Sequence, residues 1–256
     1  MPRRRRLGSA WRWLRGLHWP LQAAAALAVG LLLWLAANAL VQVARKPTEL
    51  FFPVSGALDK SPAETWREYA PVFEAHSTKT ITAEFLAALA QVEGAGNPVA
   101  RTQWRWRLTE NPFEVYRPAS SAVGMYQITD GTYALARRYC IHDHEVVEDG
   151  PWHAWKSCWF NGLYFRVVPS HAAEMTSAFL DASVAQALRR AGRNGASLSQ
   201  RQDLAAVMHL CGVAAGEAFA RRGFRVPPPP FCGGQNVAAY GERVRAMQRE
   251  FARLNR

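Results

Sequence analysis

Residues 82–94 read TAEFLAALAQVEG and predict a single amphipathic helix. Its apolar side chains recur at helical spacing, Thr82 is suited to cap its start, and a glycine closes it. Glu93 follows Leu89 by four residues and Phe85 by eight, so it shares their face of the helix. The stretch therefore predicts a core helix that ends in a carboxyl group on its apolar side.

The position of Glu93 makes it the first candidate catalytic residue. Apolar surroundings disfavour the charged form of a carboxyl group, and the negative end of the helix dipole acts in the same direction. A carboxyl group that keeps its proton can act as a general acid. The alternative is a glutamate at a helix end whose head reaches water, and position alone leaves both interpretations open.

The remainder of the chain after residue 75 shows the patterns of helices joined by loops. Period 3.6 recurs with recognisable ends, and no segment keeps the alternation of a strand. These patterns predict an all-α domain over residues 76–256, with Asp130 or Thr129 capping its second helix and a capping box at Ser199 and Gln202. The predicted helices cover residues 82–93, 130–140, 152–165, 171–191, 199–222 and 237–254.

An apolar run precedes this domain and predicts a membrane helix. Residues 21–44 read LQAAAALAVGLLLWLAANALVQVA and hold no ionisable side chain, enough to cross about 30 Å of hydrocarbon. Six arginines come before it, so the positive-inside rule predicts a basic cytoplasmic tail over residues 1–20 and export of the chain beyond Lys46. We therefore expect a single-pass protein of the inner, cytoplasmic membrane, with a connector over residues 45–75 and a periplasmic domain.

Two other interpretations of the apolar run remain open. Ala37-Asn38-Ala39 resembles a signal-peptide cleavage site, although the run is longer than the usual apolar region of such peptides. A buried core helix is the third interpretation, and such a helix rarely comes after a block of arginines.

The charge of the chain argues against nucleic-acid binding. The net charge is +11, but eight of the 31 basic residues lie in residues 1–46 without any acid, which leaves 23 bases and 20 acids in the rest. The basic tail precedes a membrane segment, and no nucleic-acid recognition motif is evident. We expect no nucleic-acid partner.

The four cysteines all lie beyond the membrane segment, in what should be an oxidising compartment. Four cysteines allow three connectivities, and free thiols remain an alternative. We favour Cys140 with Cys158 and Cys211 with Cys232, because each pair is nearest in sequence.

Four segments in chain order carry a resemblance to a known family. Residues 93–98, EGAGNP, are similar to E-S-x-x-N-P, and residues 121–132, SAVGMYQITDGT, are similar to G-A-x-G-L-M-Q-I-M-P-G-T. Residues 208–212, MHLCG, fall where the family has A-Y-N-A-G, and residues 239–244, AYGERV, resemble its closing Y-V-x-x-V. Over roughly residues 80–245 the chain resembles the soluble lytic transglycosylase (SLT) domain family of the lysozyme-like superfamily.

This resemblance implies a fold, an activity and a set of site residues. It implies a lysozyme-like helical domain that cleaves the MurNAc-β-1,4-GlcNAc bond of peptidoglycan and forms 1,6-anhydro-MurNAc, the reaction of a carbon-oxygen lyase. Ordinary glycosidases need two carboxyl groups, whereas this mechanism uses one and needs no metal or organic cofactor. Glu93 is the catalytic acid, and the substrate-binding candidates are Tyr126, Gln127, His209 and Tyr240.

The chain also departs from the family pattern. Gly94 replaces a serine, Ser121 replaces a glycine, and His209 with Leu210 replace tyrosine and asparagine. These departures sustain a second hypothesis, a peptidoglycan-binding scaffold with weak or no turnover. A third is a lysozyme-type hydrolase of the same glycan, which needs a second carboxylate. We further expect glycan strands as the main partner, with an envelope-spanning assembly as a compatible one.

Several other features have simple structural interpretations. Asp130 suits a helix cap, while Glu110 and Glu114 suit solvent-facing positions. The segment 101–119 is longer than the corresponding segment is in the family, and its aromatic residues predict a lip over the cleft. The run His142-Asp143-His144-Glu145 is a weak zinc signal and predicts a solvated loop. A helical stripe of tryptophans predicts packing, at Trp152, Trp155 and Trp159.

Overall fold

A computed structural model describes residues 18–51, 53–151, 153–226 and 228–256. The chain forms two compact units. Among the described residues, the helix–hairpin unit comprises residues 18–49 and Trp104–Pro118, and the main unit comprises Leu50–Gln103 and Ala119–Arg256. Most of the predicted basic tail and Trp152 lie outside the described residues.

The helix–hairpin unit consists of one long helix and two short strands. Helix α1 covers Trp19–Arg45, with a mean hydropathy of 2.2 over its most apolar window, and is long and apolar enough to cross a membrane. Strands β1 (Trp104–Trp106) and β2 (Tyr116–Pro118) pair antiparallel, with Trp106 opposite Tyr116. The segment 101–119, expected as a lip, thus includes a β-hairpin, and its partner within this unit is α1.

The main unit is mostly helical, as the sequence predicts, with short hairpins between the helices. Its helices are α2 (Pro62–Ala75), α3 (Ala83–Gly94), α4 (Asp130–Ala136), α5 (Pro169–Ala191), α6 (Leu198–Cys211), α7 (Val213–Arg221) and α8 (Val237–Leu254). Its strands pair as two antiparallel hairpins, β3 (Tyr139–His142) with β4 (Glu145–Glu148), and β5 (Phe231–Cys232) with β6 (Gln235–Asn236). The all-α prediction is therefore confirmed for the main architecture, and these short strands are a detail that it did not include.

Helix α3 lies at the centre of the core. Thr82 caps it by accepting a hydrogen bond from the backbone N–H of Phe85, as predicted. Nearly every residue from Ala83 to Ala90 is buried, because α2 and α8 pack against this helix from outside. Burial of α3 on several faces fixes the direction in which its C-terminal residues point.

The predicted connector over residues 45–75 contains helix α2. Ser61 and Glu64 form a capping box, and Pro62 occupies the first helical position. The buried side chains of this helix include Trp66 and Phe73, and the Trp66 ring lies 5.7 Å from that of Phe251 on α8. This segment is therefore part of the core.

Three helix predictions need correction. The capping box of α6 is Ser197 with Gln200, two residues before the predicted one. Gly212, with a φ of 85°, ends α6 and separates it from α7. The predicted helix over residues 152–165 is mostly loop, with only a 3₁₀ turn at Trp159–Leu163.

The start of α4 and the β3–β4 turn account for two further motifs. Thr129 caps α4, and Asp130, expected as a cap, is instead its first residue. Asp143 and His144 form the two-residue turn between β3 and β4, with φ values of 51° and 63°. No cluster of three or more metal-ligating side chains occurs among the described residues.

Both predicted disulfides are confirmed. Cys140 on β3 is bonded to Cys158, and Cys211 at the end of α6 is bonded to Cys232 on β5. Each bond closes a short loop in the main unit, which restricts the unfolded chain. Two disulfides are typical of a protein from an oxidising compartment.

Candidate active site

Glu93 and Tyr240 form the centre of the candidate site. The Glu93 side chain is 14% exposed, at the last turn of α3. Tyr240, on α8, donates its hydroxyl hydrogen bond to Oε1 of Glu93 at 2.6 Å. Burial and the neighbouring Glu93 carboxylate raise the pKa of Tyr240 well above its usual value. The Tyr240 hydroxyl therefore stays protonated and holds one oxygen of Glu93 in place.

His209 completes this group from a third helix. Its Nε2 lies 3.8 Å from Oε1 of Glu93, beyond ordinary hydrogen-bond distance, and its side chain is nearly buried near the end of α6. Three helices that are distant in sequence thus bring Glu93, His209 and Tyr240 together. Three of the residues predicted for the site form one cluster.

Two cavities approach each other at this cluster. The first has a volume of about 430 Å³, and His209 and Gln127 are among its lining residues. The second has a volume of about 440 Å³ and contains Glu93, together with Gln91, Arg101 and Gln103. Each cavity is thus lined by one member of the neighbouring pair Glu93 and His209.

The loop between residues 121 and 130 is held beside the cluster by Arg166. Its guanidinium group donates to the backbone carbonyls of Ser121 at 3.0 Å and Ile128 at 2.8 Å, and pairs with Asp130 at 2.8 Å. No motif or helix signal in the residues around Arg166 marks this arginine as part of the site. An arginine between a loop and a helix belongs to no regular spacing of residues that would indicate a function.

Gln127 combines a structural contact with a position on the cavity wall. It has a left-handed backbone, with a φ of 48°. Its Nε2 donates to the backbone carbonyls of Ala100 at 3.1 Å and Gly124 at 3.0 Å. The amide nitrogen therefore stabilises the turn, while the residue also lines the first cavity. Substrate binding by Gln127 stays a prediction.

Tyr126 does not reach either cavity. Its side chain is 0% exposed and lies in the core. Its hydroxyl has no hydrogen-bond partner among the described residues, and burial raises its pKa well above the usual value. The expectation that Tyr126 binds substrate is therefore wrong, because a fully buried ring makes no contact with a ligand in the cleft.

Asn97 stabilises the segment that follows α3, next to the candidate site. It is buried, and its Nδ2 donates to the backbone carbonyl of Ser55 at 2.5 Å and to Asp59 at 2.8 Å. Its Oδ1 accepts from the backbone N–H of Val99 at 2.9 Å. This residue therefore fixes the chain just after α3, and its role is structural.

Few other carboxyl groups lie near Glu93. Among the described residues that line the two cavities, the only other one is Asp59, which accepts the Asn97 hydrogen bond. In the helix–hairpin unit, Glu114 pairs with Arg45 at 3.1 Å and with Arg117 at 3.3 Å. A two-carboxylate mechanism of the ordinary glycosidase kind would therefore have to use the exposed Asp59 as its second member.

The tryptophan stripe predicted to pack inside the main unit is largely exposed. Trp155 is 81% exposed and Trp159 about half exposed, because their segment is a loop and not a helix. The disulfide at Cys158 fixes this loop to β3. The helical spacing of the tryptophans was therefore misleading.

Tyr240→Phe tests whether the hydroxyl positions Glu93, the residue that the sequence predicts as a catalytic acid. The ring stays buried and only the hydrogen bond to Glu93 is lost, so we expect kcat on a glycan substrate to fall about tenfold or more with little change in KM. Tyr164→Phe is the matched control, because it removes a 2.7 Å hydrogen bond to a different carboxylate, Glu174. Equal losses in both variants would contradict a positioning role.

Gly94→Ser introduces the serine of the E-S-x-x-N-P pattern, and we expect it to damage this site. A Cβ atom at Gly94 would lie 2.8 Å from Cα and 2.9 Å from the carbonyl oxygen of Met125, so backbone has to move. We expect a loss of about 1–3 kcal/mol in unfolding free energy, measured by urea titration. Gly56→Ser is the control, because no atom lies within 4 Å of the added Cβ. Unchanged stability of the Gly94 variant would show that the loop at Met125 yields freely.

The geometry of this cluster is at present the main guide to function. Neither a family model nor a curated protein nor a solved structure matches the chain.

Proposed function

We propose that the main unit is a lytic transglycosylase that cleaves the MurNAc-β-1,4-GlcNAc bond of peptidoglycan. The observation that carries this proposal is one nearly buried carboxyl group, bonded to Tyr240, in a pair of cavities whose described residues include only one other carboxylate, the exposed Asp59. A reaction in which the substrate supplies its own nucleophile requires only one such group. The resemblance of residues 93–98 and 121–132 to the lytic transglycosylase family points to the same reaction and to a lysozyme-like fold.

The proposed reaction returns one proton to its donor. The Tyr240 hydroxyl is hydrogen-bonded to Oε1 of Glu93, which leaves Oε2 to hold the acidic proton. Oε2 donates this proton to the glycosidic oxygen as the C1–O bond of MurNAc breaks. The 2-acetamido group of the sugar stabilises the positive charge at C1. The C6 hydroxyl oxygen then bonds to C1, and its proton passes to Glu93. The products are a GlcNAc end and a 1,6-anhydro-MurNAc end.

The two cavities suit an extended substrate. Sugar residues on either side of the scissile bond would occupy one cavity each, with His209 beside the bond. Gln127, Arg101 and Gln103 line these cavities and offer polar groups to hydroxyl and acetamido groups. Burial of the glycan against these walls would exclude water, which favours the internal C6 nucleophile over hydrolysis.

We also propose that α1 holds the enzyme in the inner membrane with the main unit in the periplasm. The length and hydropathy of α1 support a membrane span, and the arginines before it support a cytoplasmic N-terminus. The two disulfides agree with an exported main unit. Peptidoglycan lies in that compartment.

Mass spectrometry of digested peptidoglycan tests the activity. The full chain, purified in detergent micelles, is incubated with purified glycan, and the soluble muropeptides are analysed. We expect 1,6-anhydro-MurNAc ends. Reducing MurNAc ends would instead indicate a hydrolase, and glycan that is bound without release of products would indicate a scaffold.

A further inference from the structure

One face of α1 is built to contact the β1–β2 hairpin. The side chains on this face have helical spacing, at Trp34, Asn38, Gln42 and Arg45. Asn38 Nδ2 donates to the carbonyl of Tyr116 at 2.7 Å, and Gln42 Nε2 donates to the carbonyl of Phe113 at 2.5 Å. Trp34 stacks on Trp106, with ring centroids 6.1 Å apart. The hairpin therefore lies along the C-terminal part of α1, from Trp34 to Arg45.

This C-terminal part of α1 coincides with the far boundary of a bilayer. The 27 residues of α1 extend about 40 Å, whereas about 20 residues cross the hydrocarbon. Counted from Trp19, the hydrocarbon ends near Ala39, between the two amide side chains. An unpaired amide is costly at that depth, and the hairpin supplies a carbonyl to both Asn38 and Gln42.

The aromatic residues of the hairpin are of the kind found at membrane–water interfaces. The Trp106 and Tyr116 rings stack at 4.6 Å, and the Trp104 ring lies 5.1 Å from Tyr116. Trp106 is still 64% exposed, and Leu108 just beyond the strand is 100% exposed. Such apolar area is unfavourable in water and favourable among lipid headgroups and upper acyl chains.

The opposite face of the hairpin is cationic. Strand alternation places Arg105 on the other side from Trp104 and Trp106, directly opposite Arg117 in the paired register. Like charges in this position destabilise a hairpin unless an anion lies between or beside them. Arg117 pairs with Glu114, but the guanidinium groups of Arg105 and Arg107 have no acidic partner among the described residues. Lipid phosphate is an anion that fits them.

We propose that residues 104–118 form a lipid-binding hairpin, which lies in the outer headgroup layer beside α1 and contacts anionic phospholipids. The inference rests on the proposed membrane span of α1, but it is independent of the proposed enzymatic activity. The aromatic face packs on α1 and on acyl chains, and Arg105 and Arg107 bind phosphate. The membrane attachment is then a helix with a β-hairpin docked at its outer end.

Fluorescence quenching in vesicles tests the lipid contact. Leu108→Cys in the full chain takes one environment-sensitive label, because both native cysteine pairs are disulfide-bonded. We expect strong quenching by lipids that carry a nitroxide near the headgroup, compared with a label at Leu198→Cys on the main unit. Retention in carbonate-washed vesicles with equal quenching at the two sites would overturn the hairpin proposal alone. Release from the vesicles would overturn the membrane span and the hairpin proposal together.

A charge variant tests whether the hairpin prefers anionic phospholipid. In vesicles of phosphatidylcholine and phosphatidylglycerol, we expect nitroxide-labelled phosphatidylglycerol to quench the residue 108 label about twofold more than labelled phosphatidylcholine. The double variant Arg105→Gln/Arg107→Gln should lose this preference. Arg222→Gln/Arg256→Gln removes two exposed charges elsewhere and should keep it. Equal quenching by the two lipids with the native arginines would overturn the assignment of anionic phospholipid.

Discussion

Glu93→Gln is expected to lower the release of anhydro-muropeptides by at least about 100-fold, because general acid catalysis contributes that much or more. Glutamine keeps the size of the side chain, and its amide oxygen can still accept the Tyr240 hydrogen bond. We therefore expect the fold and glycan binding to survive. The measurements are product release, by mass spectrometry, and the thermal midpoint of unfolding.

Glu84→Gln is the matched control for this experiment. Glu84 lies in the first turn of the same helix and bonds to Asn255 at 2.9 Å, far from the two cavities along α3. We expect its activity to match that of the unmodified chain. Undiminished activity in Glu93→Gln would remove this residue as the acid and with it the proposed mechanism.

Gly124→Ala is expected to cause the largest loss of stability among single substitutions at the site. Gly124 has a φ of 80°, and a Cβ atom there would lie 2.3 Å from the carbonyl oxygen of Arg166. The left-handed backbone costs about 1 kcal/mol for alanine, and the clash with backbone adds about 1–3 kcal/mol. We expect a fall of roughly 5–10 °C in the midpoint of thermal unfolding of the full chain.

Gly131→Ala provides the comparison seven residues later. Gly131 lies in the first turn of α4, and no atom lies within 4 Å of an added Cβ. Alanine is the better helix former, so this variant should be neutral or slightly stabilised. If both variants behaved alike, the contact between Gly124 and Arg166 would not constrain the loop.

The helices that the sequence predicts well are those with both strong periodicity and strong end signals. Helix α3 has the Thr82 cap, α5 ends at Gly192, and α8 is an amphipathic helix with few competing signals. Helix α2 has equally clear signals in Ser61, Glu64 and Pro62, but its place after the apolar run favours a connector. For α2, the capping residues predict the helix better than the position of the segment in the chain does.

Other elements depend on contacts that a single sequence does not display. Strands β1 and β2 are only three residues long, and their pairing depends on a turn nine residues in length. The stripe of tryptophans after residue 151 has helical spacing, yet a disulfide and a loop determine its shape. Short strands and covalently fixed loops form through tertiary contacts rather than local propensity.

The candidate site was predictable to a similar degree. Periodicity placed Glu93 on the apolar side of its helix, and the structure places it beside two cavities. Tyr240 lies 147 residues further along the chain, so only the resemblance of residues 239–244 pointed to it. Tyr126 and Gln127 are adjacent in one motif, yet one is in the core and the other on a cavity wall. A motif does not show which of two neighbours faces the interior.

The bond between α3 and α8 has a consequence for the timing of synthesis. Glu93 emerges from the ribosome 147 residues before its hydroxyl partner, and in an exported main unit, as proposed above, helix α8 has to cross the membrane before the two can meet. A chain that stalls during export, or that a protease cuts before α8, carries Glu93 without the contact that orients it. If the proposed activity is correct, incomplete copies would be harmless to the cell wall, and turnover would begin only once translocation has passed Tyr240.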